Sequence, residues 1–512
     1  MKLRNFLIVP ACLLFALFSC QKDWLDVNTN PNSLPSSTPD YTFAAAANRI
    51  AANLGPNELG EYWSGHWTQS STYILSATYF KYEFNNTNFD FWSGYYDIQE
   101  DLDYAIKGAS GTLAFFGGAA RVLKAYTYQM MIDMYGNLPY TDALKGSGSL
   151  APKFDDQKAV YEDLIKVLDT AITILKANPL GGSYAGSEIV FGRTSGAAPT
   201  AATKWIQFAN SLKLRILMRQ SRVAGRDAYI IAEINKAAAT TEGFLPNGLD
   251  VTSNPGYVAS AGKLNPFYEN WGYNSAGGSQ ALGRYPRPTE FLFNTLKAAN
   301  DTFRMKRLAY PNGGQGALPE IISNYTGVPF GVGSGYLSQA TSYIGPSQIV
   351  SGDFARPMVL MTNAESQFLL AEAKQRYGAG VTLAGTAQSY YEQGVREAFR
   401  LTGTTAAYGA AAATTLLTSG IDLSDWTASP DKLKAIWMQK WLALTNYNGL
   451  ESWSEYRKNN FPVTPPSAST SPSAPRPLRL FYPSGELASN GANVAAQGTI
   501  DVFATRLFWD VD

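Results

Sequence analysis

Between residues 157 and 176 the apolar side chains Val160, Leu164, Val167, Leu168, Ala171 and Leu175 recur at three- and four-residue intervals. That spacing lines one face of a helix and fits no strand, whose side chains alternate with period two. Comparable helix signals occupy residues 41–54, 89–106, 118–134, 200–219, 227–238, 363–376, 385–401 and 431–445. A further helix is expected over 57–69, joined to the first by a Gly55-Pro56 turn, and Gly136 and Pro139 close the one over 118–134. The chain is therefore expected to be mainly α. Two stretches, near 241–287 and 311–356, lose the period and fill with Gly, Asn, Pro and aromatic residues. Loops that long inside a domain are usually functional. The reading is one large helical domain over 41–512 with loop-rich insertions, and no repeat of fixed period is legible in the letters.

Lys2 and Arg4 precede an apolar run over 6–18 that only Pro10 interrupts. A membrane-spanning helix needs about 20 apolar residues, so this run suits the core of a secretory signal instead. Leu17-Phe18-Ser19-Cys20 resembles a bacterial lipobox, which makes 1–19 a lipoprotein signal peptide, Cys20 the lipidated residue and 20–40 a tether. Cys12 would leave with the signal, so the mature chain keeps one acylated cysteine and no disulfide. An exported protein of this kind is stabilised by its core. Asp26, Asn28 and Asn30 begin like a calcium loop, but Pro31 and Ser37 stand where that loop requires Gly and a bidentate Glu. No metal site follows.

Basic and acidic residues number 41 each, and removal of 1–19 takes away only Lys2 and Arg4, leaving a net charge of −2. Such balance gives no electrostatic basis for binding nucleic acid or an acidic membrane surface. His66, the only histidine, excludes a zinc site built on several imidazoles. Between Trp63 and Trp67 it reads as a packed or surface helix residue rather than a catalytic base. No cofactor-binding motif is present. Charged residues make up 16% of the chain and aromatics 13%, with many aromatics among Gly, Asn and Ser. Aromatic faces in polar loops hold flat sugar faces or extended peptides, although a large protein can also use Tyr freely without binding either.

Seven segments, in order, resemble the SusD/RagB family of outer-membrane nutrient-binding lipoproteins: CQKDWLDVNTNPN, FWSGYYDIQEDLDYA, ARVLKAYTYQMMIDMYGNLPYTDAL, KWIQFANSLKLRILMR, MTNAESQFLLAEAKQR, QKWLALTNYNGLESWSEYRKNNFP and RLFYPSGELASN. The resemblance implies tetratricopeptide-like helix pairs in a superhelical scaffold with a loop-rich region. It implies a SusC-like TonB-dependent barrel as partner, to which a lipid-anchored lid on the cell exterior delivers oligosaccharide or oligopeptide. It implies no enzymatic activity and no cofactor. A glycan is the leading cargo, with a peptide-binding, RagB-like lid as the alternative. A surface glycoside hydrolase is a third reading, and it would need two carboxyl groups facing across a cleft roughly 5–10 Å apart.

Trp92, Tyr95, Arg121, Tyr126, Tyr135, Gly136 and Pro139 sit at helical spacing or at a helix end and read as structural. Glu365 and Glu372, seven residues apart, could suggest paired catalytic carboxylates. Partners among neighbouring loops, or Lys374 and Arg376, explain them more simply. Asp97, Glu100, Asp101 and Asp103 read as a solvated helix face. Ligand residues are expected where the period fails. One stretch offers Tyr73, Tyr79, Tyr82 and Asn85, and the other Trp271, Tyr273, Asn274, Arg284 and Tyr285.

Overall fold

Helices form where the apolar period runs, and their ends fall where the side chains supply caps. The computed structural model describes residues 37–73, 78–192, 200–314, 322–403, 406–469 and 475–511. The expected signal segment, the lipidated Cys20 and the tether as far as residue 36 lie outside the described residues. The first half contains α1 (Pro39–Ala52), α2 (Gly55–Trp63), β1 (Trp67–Gln69), α3 (Thr78–Lys81), α4 (Trp92–Gly108), α5 (Ala114–Tyr135), β2 (Leu138–Pro139), β3 (Phe154–Asp155), α6 (Gln157–Ala177), α7 (Ala201–Arg219) and α8 (Asp227–Ala238). A loop-rich middle follows, with β4 (Val251–Ser253), α9 (Pro266–Trp271), β5 (Pro286–Pro288), α10 (Glu290–Ala298), α11 (Thr302–Leu308), β6 (Ala309–Tyr310), β7 (Tyr343–Ile344) and β8 (Met358–Met361). The remaining longer helices are α12 (Asn363–Tyr377), α13 (Ala387–Thr402), α14 (Ala406–Leu417), α15 (Lys432–Leu444) and α16 (Gly449–Asn459).

Asp156, Thr200, Thr289, Thr362, Asp431 and Asn448 each accept a backbone N–H in the first turn of the helix they precede. Such caps satisfy donors that the helix itself cannot. Each of α4 to α7 packs on its successor, α7 also packs on α12, and α12 packs on α13 and α15. From there α15 packs on α16, and α16 on α2. This is the helix-pair, superhelical scaffold, and Pro39–Asp512 form one compact unit.

The scaffold's interior is ionic as well as apolar. Arg215 on α7 donates to Glu365 on α12 through two hydrogen bonds of 2.5 and 2.8 Å. One turn on, Arg219 pairs with Glu451 and Glu455 of α16, and Lys440 of α15 reaches the same two carboxylates at 3.1 and 3.3 Å. Lys458 and Arg376 hold Glu372 at 2.9 and 2.8 Å. The cations hold the carboxyls of Glu372, Glu451 and Glu455 below the usual range despite their burial. Glu365 and Glu372 are thus fully buried in ion pairs within the scaffold. Their main partners are Arg215, Arg376 and Lys458, whereas Lys374 donates instead to the Val381 and Leu383 carbonyls. Asp97 and Glu100 are exposed, while Asp101 and Asp103 pair with Arg49 and Lys107.

Three expectations fail in detail. The helix expected over 57–69 ends at Trp63, because Gly65, at φ +86°, turns the chain into β1. Gly55-Pro56 is no turn but the start of α2, where proline's missing N–H is not needed. His66 is neither helical nor on the surface: fully buried, it donates from Nε2 to the Trp441 carbonyl at 3.0 Å and faces Glu61 at 2.8 Å through Nδ1. Its partner β5 runs antiparallel to β1, with Trp67 opposite Pro288, Thr68 opposite Arg287 and Gln69 opposite Pro286.

Candidate functional site

The β1–β5 pair brings together loops far apart in sequence. Tyr73 follows β1 and Arg284-Tyr285 precede β5, so pairing of the strands sets them side by side. The Tyr73 and Tyr285 rings meet edge-on at 5.9 Å, and the Arg284 guanidinium lies over the Tyr73 ring at 5.8 Å. Arg284 is exposed and both rings are half-buried. A third loop completes the face: the Ser71 amide donates to the Tyr336 carbonyl at 2.9 Å, the Tyr336 amide returns a bond to Ser71 Oγ at 3.0 Å, and the Ser338 amide reaches Thr72 Oγ1 at 3.3 Å. This places half-buried Tyr336 and the 49% exposed Leu337 beside the Tyr73 loop.

Beneath the face lies Arg287, fully buried. It stacks on the Tyr343 ring at 3.7 Å, donates to the Pro286 carbonyl at 2.7 Å and to Thr341 Oγ1 at 3.2 Å, and bonds to the Ser338 hydroxyl. Burial pushes this guanidinium down to about 10, which still leaves it charged at neutral pH. It clamps the third loop to β5. Rings that offer a partly exposed face, beside a guanidinium donor, can stack on an apolar sugar face and hydrogen-bond to ring hydroxyls.

The other expected ligand residues do not join this cluster. Tyr82 is 4% exposed and packs against Trp63 and Phe330. Tyr79 stacks on Tyr62 at 4.4 Å and contacts Phe89 at 5.3 Å, so its ring is committed to the core. Trp271 is 3% exposed, edge-on to Trp67 at 5.4 Å, and Tyr273 is buried against Tyr268. Asn85 and Asn274 are exposed, but each side-chain carbonyl accepts bonds within its own turn. The cause is common to the buried Tyr82, Trp271 and Tyr273 and to the half-buried Tyr79 packed against the core: apolar area removed from water is worth about 25 cal/mol per Å², which favours packing a large ring over leaving it free in a loop. Tyr336, Leu337, Arg287 and Tyr343 were not singled out from the sequence. The available signal was the Gly- and Tyr-rich run over 331–343, inside a stretch already marked by its missing period.

Residues 31–483 match the family model SusD-like_2, described as starch-binding associating with outer membrane. The chain belongs to this SusD-like family. A SusD homologue from Bacteroides fragilis shares 19% identity, with a TM-score of 0.74 over 92% of this chain and 100% of that one. A chitin-binding SusD homologue from Flavobacterium johnsoniae shares 23%, with a TM-score of 0.72 over 93% and 99%. A SusD homologue from Bacteroides uniformis shares 22%, with a TM-score of 0.68 over 92% and 100%. None of the curated proteins matches the chain. The family consists of outer-membrane-associated nutrient- and glycan-binding proteins, not enzymes, that generally work with SusC-type transporters. Among the described residues no helix is long and apolar enough to cross a membrane.

Proposed function

We propose that the chain is a surface-exposed lipoprotein, anchored through Cys20, that captures a glycan on the Tyr73–Arg284–Tyr285 face and passes it to a SusC-like TonB-dependent barrel. The observation that carries this reading is the convergence of Tyr73 with Arg284-Tyr285 from loops some 210 residues apart, in a chain of this family. An open face of this kind binds in the millimolar to micromolar range, about −4 to −8 kcal/mol. Removal of a stacking ring should then weaken binding about tenfold or more.

Calorimetry of the full chain in mild detergent, against panels of oligosaccharides and oligopeptides, tests the reading. Tyr285→Ala and Tyr73→Ala are each expected to weaken binding of the recognised glycan about tenfold without lowering thermal stability by more than a few degrees. Saturable binding of a peptide instead would assign the RagB-like alternative. Purification without any accompanying barrel would remove the proposed partner.

A further inference from the structure

The same short helix that sends Trp271 into the core presents its other side to a different opening. On α9, Phe267, Tyr268 and Trp271 point inward, while Pro266, Glu269 and Asn270, at helical spacing, line a cleft of about 550 Å³. Sites for small molecules span about 300–1,000 Å³, so the opening is large enough for a ligand of a few rings. Its opposite walls are Asn48, Ala52 and Leu54 at the end of α1 and the loop from Pro255 to Leu264.

That loop is built, not loose. The Val258 amide donates to the Lys263 carbonyl at 2.8 Å, the Lys263 amide to the Ser260 carbonyl at 2.9 Å, and Glu269 on α9 accepts the Gly262 amide at 2.7 Å. At its foot Asn265 caps α9 and donates to the Arg356 carbonyl at 2.7 Å. Set into this wall is Tyr257, 7% exposed, whose buried hydroxyl has no hydrogen-bond partner among the described residues. A buried hydroxyl left without a partner is costly, and buried polar groups in native proteins are nearly always satisfied, by water or ligand if not by protein.

The chemistry of the lining selects the ligand class. The Asn48 and Asn270 carboxamides and the Tyr257 hydroxyl can each donate and accept, which matches vicinal hydroxyls. Lys263 and Glu269 bring one charge of each sign, so the cleft makes no net demand for an anion or a cation. Leu54, Pro255, Leu264 and Pro266 offer apolar surface to carbon-bound hydrogens.

We propose that this cleft is a second saccharide site, separate from the Tyr73–Arg284–Tyr285 face, that holds neutral sugar rings against Tyr257, Asn48 and Asn270. It rests on the glycan-binding reading above. Calorimetry of the full chain with chitotetraose, maltotetraose, cellotetraose and xylotetraose tests it, with Tyr257→Phe chosen because it removes one oxygen and leaves the packing in place. The expected result is two sites per chain for at least one of the four. Tyr285→Ala should weaken one of them about tenfold, and Tyr257→Phe should weaken the other roughly three- to tenfold, the loss of one hydrogen bond. A single site that Tyr285→Ala weakens and Tyr257→Phe leaves unchanged overturns the second site and leaves the function standing. Two sites of which neither responds to Tyr257→Phe or Asn270→Ala also overturn it. No binding of any of the four probes overturns both.

Discussion

The scaffold and the loop face are held together by different forces. Between α5, α7, α12, α15 and α16 the buried charges Arg215, Arg219, Lys440 and Lys458 meet carboxylates directly, with distances near 3 Å. Across the loop face, Arg287 is just as buried, but its bonds go to hydroxyls, a carbonyl and an aromatic ring. Loops there are tied by a few neutral hydrogen bonds, such as the reciprocal pair between Ser71 and Tyr336. The first arrangement is intolerant of losing one partner, because the other charge stays buried and uncompensated. The second is a set of separable contacts, each worth about 0.5–1.5 kcal/mol. A lasting frame and a face able to vary can therefore share one chain.

The sharpest way to break the comparison is Arg219→Met. It removes the guanidinium that Glu451 and Glu455 share, leaves the buried cluster one cation short with only lysines close to Glu455, and should cost about 3–5 kcal/mol, read as a large drop in melting temperature. Ligand affinity of the protein that remains folded should be unchanged, and a loss of both together would show that frame and face are not independent.

Next in size is the seam between the two regions, where Glu58 lines a small cavity with Trp67, Trp271 and Tyr447. Burial raises its carboxyl from 4.5 to about 7, so the fold favours the neutral form. Its contribution is fully present below pH 4.5 and is lost as the pH rises towards 7, a decline of roughly 3 kcal/mol by linkage. Glu58→Gln should flatten that stretch of the stability–pH curve measured by denaturant titration. An unchanged slope would place the group in water.

The smallest effect is expected at the turns. Asn274→Ala removes the acceptor for the Ala276 and Gly278 amides and should cost about 1 kcal/mol of stability, with ligand affinity unaltered. A tenfold weakening of glycan binding would instead return Asn274 to the binding face.

What could be read from the letters follows the same division. The run over 157–176 announces α6 almost to the residue, because one amphipathic face and the cap at Asp156 act locally. Thr200 and Asp431 mark their helices in the same way. Short helices such as α10 and α11 give too few turns for a period to show, and β1 is a strand only because β5, more than 200 residues later, pairs with it. The site divides similarly. Aromatic residues in non-periodic stretches stand out in the letters, but whether a ring turns in or out depends on neighbours distant in sequence. Trp271 finds Trp67 and goes in, whereas Tyr285 finds Tyr73 and stays at the surface.

Strand β5 reads Pro-Arg-Pro, and its Arg287 lies opposite Thr68 while the Thr289 amide bonds to the His66 carbonyl. Amide donation from this stretch therefore goes inward to β1, and the two prolines occupy the positions whose nitrogens would otherwise have pointed outward. Proline nitrogens carry no hydrogen, so this border offers only carbonyls, and the chain itself takes both: Arg287 donates to the Pro286 carbonyl at 2.7 Å and the Val328 amide to that of Pro288 at 3.0 Å, beside a parallel bridge between Thr289 and Val328. With Val328 already seated on that edge, an incoming polypeptide finds no open strand there to extend. A ligand laid on this face would therefore be read through side chains rather than by strand addition to β5.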